Sequence, residues 1–281
     1  MKILETVDQV RSLMDAARGR GESVGVMGTS GRMHEGHLSL VRQAIRENDL
    51  AVMFWLGDLR FAWAGGEKVP GLYDRDWAVD RALCASTGIE YVYLPDSDDY
   101  MPERPMTVTL VPALSTGCPR MEDPAHLDEV TTATAKLWSI FGPMRYYSGE
   151  KDWQQLAMFE RMAIDLSCGV EVVACPVARE RDGLAMSSRN VKLSAEERAR
   201  APGLFAALEA GRGTIEAGER SSAVVEAQIR DALAAIGEVL YVHCVDAETL
   251  QPMERLRGAI RLIASVRLGD VPLVDNVGID V

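Results

Sequence analysis

Ser23 to Leu56 reads SVGVMGTSGRMHEGHLSLVRQAIRENDLAVMFWL. An apolar run, SVGVM, enters a glycine turn at Gly28. Leu38, Val41, Ala44 and Ile45 then recur with helical period, and a second apolar run follows from Leu50 to Leu56. Strand, helix, strand is a βαβ unit, which requires parallel strands. The alternation continues downstream. RDWAVDRALCAST predicts a helix closed by Gly88, EYVYL a strand, TVTLV a strand, Asp128 to Phe141 a helix, MRYYS a strand, Trp153 to Asp165 a helix and VEVVACPV a strand. The expected fold is α/β, a Rossmann-like doubly wound parallel sheet.

After Pro176 the pattern changes. RERDGLAMSSRNVKLS is polar and turn-rich. Helices are expected over Ala195 to Ala217 and Ser222 to Ala235, followed by three alternating runs, EVLYVHCVD, IRLIASVRLG and VPLVDNVGIDV, with an antiparallel look. A large domain over 1–176 and a second, smaller α+β domain over 177–281 are therefore expected.

The chain has 281 residues, 47% of them apolar and 26% charged, with a formal net charge of -12. That composition is globular, and no apolar run is long enough to cross a bilayer, so no membrane role is expected. Lys and Arg are scattered, without the basic stripe that neutralises a phosphate backbone, so nucleic acid is not an expected partner. MKILETVDQVRSLMDAARGRG spaces its apolar residues helically among charges of both signs, unlike a signal or transit peptide. A cytoplasmic location is expected. Cys84, Cys118, Cys168, Cys175 and Cys244 are odd in number and form no CxxC pair, which fits buried free thiols.

Three short motifs carry chemistry. In HEGH, His34 and His37 stand three apart at the start of a helix, where unpaired N–H groups and the positive dipole end favour an anion. Gly36 between them removes a side chain that would hold a phosphate off the backbone. Zinc would want further ligands, and only His126 and His243 remain among histidines; two ordinary surface histidines are the plain alternative. In GEKDWQQL, Gly149 ends a strand while Lys151 and Asp152 open a helix, the place where α/β sheets hold ligand groups. In AMSSRN, Ser187, Ser188 and Arg189 join two hydroxyls to a forked cation, a grip suited to triphosphate. Taken singly, either of the last two motifs reads more readily as a solvated loop.

Together the motifs resemble the HxGH signature and phosphate-gripping loop of the HIGH nucleotide-binding superfamily. GEKDWQQL and DGLAMSSRN are closer still to the pantothenate synthetase (pantoate:β-alanine ligase) family, a resemblance running from Ser23 to the C-terminal LVDNVGIDV. It implies an ATP-dependent, AMP-forming acid–amino-acid ligase that passes through an acyl adenylate. His34 and His37 would steady the phosphates, with Gly31 and Gly36 giving close backbone approach. Lys151 would sit on the phosphates, Asp152 and Gly149 near the ribose, and Met186, Ser187, Ser188 and Arg189 at the triphosphate from a lid formed by the smaller domain. Thr29, Ser30, Arg60, Tyr73 and Gln155 fall at acid-binding positions. ATP and Mg²⁺ are implied, the metal riding on the phosphates with no protein site of its own. A carboxylic acid and an amine are the implied small-molecule partners, and a homodimer is implied, with the LAVMFWL strand as a pairing edge.

The acid-side motifs depart from the family's pattern. PTMGALH reads GTSGRMH here, so Gly28 and Ser30 replace proline and methionine; FVNPLQF reads WLGDLRF, with Gly57, Asp58 and Arg60 in place of asparagine, proline and glutamine; and Asp74 replaces the proline after Tyr73. Arginine offers only donors and a fixed charge where glutamine offers both donor and acceptor. Either the enzyme activates a more polar acid, or Arg60 points away and pantoate still binds. A nucleotidyltransferase and a non-catalytic binder are the rivals from other classes. GEKDWQQL argues against the first and the intact Lys151, serines and Arg189 against the second. His126, in PAHLDEV where the family has GHFDGV, is left open between triphosphate and surface, and His243 reads as structural.

Overall fold

The computed structural model describes residues 1–29, 31–55, 77–96, 100, 106–116 and 124–281, the side chains of 77, 124 and 125 excepted. Two compact units emerge. The first comprises Met1–Val111, Pro124–Gly149 and Met158–Cys175; the second comprises Pro112–Asp123, Glu150–Ala157 and Pro176–Val281.

The first unit is built on six parallel strands, β1 (Lys2–Leu4), β2 (Val24–Thr29), β3 (Leu50–Trp55), β4 (Tyr91–Tyr93), β5 (Met144–Gly149) and β6 (Val170–Cys175), in the order β1-β4-β3-β2-β5-β6. Helices α1 (Val7–Gly19), α2 (Glu35–Glu47), α3 (Trp77–Ser86), α5 (Pro124–Phe141) and α6 (Trp153–Leu166) alternate with the strands; a short helix, α4 (Pro112–Ser115), belongs to the second unit. Successive strand residues point to opposite faces, and both faces are apolar. Leu50, Val52 and Phe54 of β3 join Met14 of α1 and Trp138 of α5 in one core cluster, while Met53 and Trp55 join Val41 of α2 and Cys84 of α3 in the other. The doubly wound sheet expected from the sequence is thus present.

Four local expectations need correction. The N-terminal residues begin as a strand, β1, on the sheet edge, and the helix starts only at Val7, where Thr6 and Gln9 form a capping box. TVTLV is not a strand: the Thr109 N–H donates to Thr132 Oγ1 at 3.0 Å and its carbonyl accepts from Thr131 Oγ1 at 2.6 Å, so hydroxyls of α5 take the place of a ladder. The helix expected over Ala195 to Ala217 is two, α7 (Ala195–Arg200) and α8 (Gly203–Glu216), broken at Pro202, which has no N–H to give. Finally β3 is no edge, because β2 and β4 pair with it on either side; LAVMFWL cannot serve as an edge for a second copy.

In the second unit β7 (Glu238–Asp246), β8 (Ala259–Leu268) and β9 (Val271–Asp280) form an antiparallel sheet under α8 and α9 (Ser222–Ala234). The two helices approach closely at Gly211, where a Cβ would stand 2.6 Å from Ile229 Cδ1. Gly211→Val is expected to cost about 1–3 kcal/mol by overpacking, whereas Gly213→Ala, with nothing within 4 Å of its Cβ, should gain about 0.5–1 kcal/mol from helix propensity. Urea midpoints at unchanged m-value would check both; equal midpoints for the two variants would refute the close approach.

Candidate active site

In the first unit the strand order reverses between β2 and β5, since the chain lays β3 and β4 to one side of β2 and β5 and β6 to the other. The β2–β3 ladder runs to Thr29 and Trp55 and the β5–β6 ladder to Gly149 and Cys175, but the β2–β5 ladder stops at Met27 and Tyr147. The two strands therefore part at their carboxyl ends, the crevice where open α/β sheets bind ligands.

Thr29 ends β2 on one side of that crevice, and its hydroxyl accepts from the Gly31 N–H at 3.2 Å. The following turn is left-handed, with φ 101° at Gly31 and 52° at Arg32, which is costly for a side chain such as Arg32. The compensation comes from Asp80 in α3, buried, whose two carboxylate oxygens accept from the Arg32 and Met33 N–H groups, each at 2.8 Å. Burial, helped by this carboxylate, pushes the nearby Cys84 thiol up to about 11.

The pinned turn delivers His34 as the N-cap of α2. Its Nδ1 accepts from the Gly36 N–H at 3.1 Å, so a neutral imidazole carries its proton on Nε2 as a donor. The His37 ring lies 4.0 Å from that of His34, centroid to centroid. Gly36 is buried between them. Two imidazoles thus lie together at the positive end of a helix dipole, a setting that suits an anion. A Cβ at Gly149, ending β5, would meet nothing within 4 Å.

In the second unit Glu150–Asp152 form one 3-10 turn, in which Lys151 Nζ lies 3.2 Å from Asp152 Oδ1. Asn276 of β9 donates its side-chain amide to the carbonyls of Glu150 and Lys151 at 2.8 and 2.9 Å. Trp153 Nε1 donates to Ala247 O, and the Arg261 guanidinium lies 3.3 Å from the centroid of the Trp153 ring. Of the glutamine pair, Gln154 is buried on Leu114 O and Gln155 is half-buried.

Ala185 and Met186 of AMSSRN lie on the returning limb of a hairpin, and Ser187–Asn190 turn out of it. The Met186 N–H donates to Ala178 O and the Glu180 N–H to Leu184 O. Arg179 in the outgoing limb makes a forked pair with the buried Asp275 at 2.6 and 3.0 Å; burial pushes the Asp275 carboxyl up while Arg179 and the Asn276 amide pull it down. Met186, Ser187 and Ser188 are half-buried and Arg189 is exposed, with Ser187 Oγ accepting from the Arg189 N–H at 3.2 Å. Lys151, Ser187 and Arg189 line one recess, so two motifs far apart in sequence meet within this unit.

Ser30, Arg60 and Tyr73 lie outside the described residues, as do Gly57, Asp58 and Cys118. Cys84, Cys168, Cys175 and Cys244 form no disulfide among the described residues, and all but the half-buried Cys168 are buried. His126 is exposed near the start of α5, and His243 stacks on Tyr241 at 5.6 Å. Asp80, Arg179, Asp275 and Asn276 organise the motifs and were not among the expected site residues. In sequence Asp80 looks like the solvated face of a helix, and Asp275 and Asn276 like polar positions of an alternating strand.

A doubly wound sheet open at its switch point, with HxGH capping the next helix, defines an α/β protein of the HIGH nucleotide-binding class. The chain belongs to the pantoate-beta-alanine ligase family, whose sequence model matches residues 2–278. Pantothenate synthetase 1 of Frankia alni is 42% identical over 282 residues, covering 97% of this chain and 96% of that relative. The pantothenate synthetase of Moorella thermoacetica is 38% identical over 284 residues, covering 100% and 99%. The crystal structure of pantothenate synthetase from Thermus thermophilus superimposes with a TM-score of 0.87 at 36% identity, covering 99% of each chain. As a family member the chain is an ATP-dependent ligase.

Proposed function

We propose that the enzyme joins pantoate to β-alanine through an acyl adenylate. A carboxylate oxygen of pantoate attacks the α-phosphorus of ATP, the bond from that phosphorus to the bridging oxygen breaks, and pyrophosphate leaves. The β-alanine nitrogen then attacks the acyl carbon and loses a proton, and AMP departs with the electron pair of the acyl–oxygen bond. The family match along residues 2–278, with every phosphate motif in place, carries this reading.

The chain's contribution is positioning and charge stabilisation. His34, through Nε2–H, and His37 donate to the phosphates where charge builds, with Gly31 and Gly36 admitting them to the backbone. Lys151 supplies a point charge, Ser187, Ser188 and Arg189 hold the outer phosphates beside Met186, and Gly149 and Asp152 face the ribose. Thr29, Ser30, Arg60, Tyr73 and Gln155 receive the acid. Mg²⁺ would be carried on the triphosphate, where it would neutralise charge. Residues 1–176 act as the ATP- and acid-binding domain and 177–281 as the smaller lid domain, the Glu150–Ala157 segment of the former clustering with the lid, in a cytoplasmic homodimer that does not form by edge pairing of β3. Among the described residues no helix is long and apolar enough to cross a membrane.

Relatives matched over the whole length are named pantothenate synthetases, which lends no support to a different acid or to nucleotidyl transfer. The test is acid-dependent exchange of pyrophosphate into ATP before any amine is added. Exchange is expected with pantoate, followed by AMP and amide in equal amounts once β-alanine is supplied. Silence with pantoate, and exchange with a more polar hydroxy acid, would overturn the choice of acid.

A further inference from the structure

Two neighbouring residues of β9 hold the two phosphate-binding segments of the second unit. Adjacent strand residues point to opposite faces, and here each face carries one segment. Asp275 accepts both guanidinium nitrogens of Arg179, which also donates to Gly183 O and lies over the Phe205 ring at 3.6 Å, fixing the hairpin that ends in Ser187–Arg189. Asn276 donates to two consecutive carbonyls, those of Glu150 and Lys151, and accepts from Arg261 Nη1 at 3.2 Å. Carbonyls on one side and a guanidinium on the other leave its amide a single orientation. The pair is linked in turn by the Asn276 N–H, which donates to Asp275 Oδ1 at 2.8 Å. Both residues are buried, at 1% and 2% exposure, and Asp275 sits at the recess that Lys151, Ser187 and Arg189 line, its carboxylate already committed to Arg179 and the Asn276 N–H.

We propose that Asp275 and Asn276 are positioning residues that set Lys151 and Ser187–Arg189 in one frame, so that both segments grip the triphosphate as a preformed unit. A grip already assembled loses less freedom on binding than two segments ordered separately. The proposal rests on the assignment of Lys151 and Ser187–Arg189 to ATP made above.

The test uses the full chain and the non-hydrolysable probe β,γ-methylene-ATP with Mg²⁺. Asn276→Ala is expected to weaken probe binding and raise the KM for ATP at least tenfold while the KM for β-alanine stays within twofold, in a variant whose thermal transition remains cooperative. Because Asn276 acts through the Lys151 turn, Lys151→Ala/Asn276→Ala should bind the probe no more than twofold more weakly than Lys151→Ala. Asn276→Asp keeps the size and the acceptor for Arg261 but loses the donor, and should behave like the alanine variant. Normal probe binding by a folded Asn276→Ala, or full additivity in the double variant, overturns the proposal. If Lys151→Ala itself binds the probe normally, it is the assignment of Lys151 to ATP that fails, and the proposal falls with it. Should the Asn276 variants not fold, amide exchange in the unaltered enzyme decides: the probe must protect 150–152 and 186–189 with one concentration dependence, and protection of one segment alone overturns the shared frame.

Discussion

Lys151→Ala is expected to lower pantoate-dependent exchange of pyrophosphate into ATP by about 10²–10³, the usual cost of removing one preorganised stabiliser of transition-state charge. The setting of Lys151 Nζ suits that task. Its side chain is 19% exposed and that of its ion partner, Asp152, is 47% exposed, so the ammonium is partly withdrawn from water while its counter-charge is not. Field lines from a half-buried cation reach a phosphate with less screening than those from a surface lysine. The substitution should spare the fold. The turn is held through its main-chain carbonyls by Asn276, and the Trp153 ring by Ala247 and Arg261; none of these bonds uses the lysine side chain. Lys151→Arg is expected to restore little, because a flat fork cannot occupy the site of a compact ammonium with the same reach. A thermal transition within about a degree of the unaltered enzyme, combined with exchange reduced by less than threefold, would remove Lys151 from the machinery.

What the sequence revealed and what it hid divide along physical lines. The βαβ order was legible because both faces of the sheet are buried, so β2 and β3 appear as unbroken apolar runs around the period of α2. The histidine pair was legible because a helix start followed by HxGH is a local pattern. The return hairpin of AMSSRN was hidden, since what orders it is Arg179 meeting Asp275, 96 residues away. TVTLV misled for a similar reason: alternation shows that one side of a segment is apolar, not that another strand is available, and here Thr131 and Thr132 occupy the place of a partner. Lys151 does follow the end of a strand, as its motif suggests, but its main chain is held by the antiparallel strand β9, and no spacing rule links residue 151 to residue 276.

Asp80→Ala is expected to destabilise the protein by about 3 kcal/mol or more, since two hydrogen bonds to a charged acceptor contribute about 1.5–3 kcal/mol each and their donors would be left without it. It should also slow adenylation about a hundredfold in molecules that remain folded. The two effects have separate causes. Stability falls because Arg32, at φ 52°, holds a conformation that its side chain disfavours and that the carboxylate imposes through two backbone bonds of 2.8 Å. Rate falls because the same turn fixes where α2 begins, and a misplacement of about 1 Å at the reacting groups is enough to cost about two orders of magnitude. Asp80→Asn should lie between, as its amide keeps one acceptor but turns a donor toward the other N–H. The double variant Asp80→Ala/Arg32→Gly separates the causes. Glycine removes the left-handed penalty, about 1–2 kcal/mol for a side chain, so part of the lost stability should return, read as a higher thermal midpoint. The rate should not return, because a glycine permits the turn without enforcing it. Exchange measured at a temperature where circular dichroism shows each variant fully folded would decide the matter. Normal exchange in folded Asp80→Ala would mean that the Gly31–Met33 turn holds its shape unaided and that the carboxylate supports only the fold.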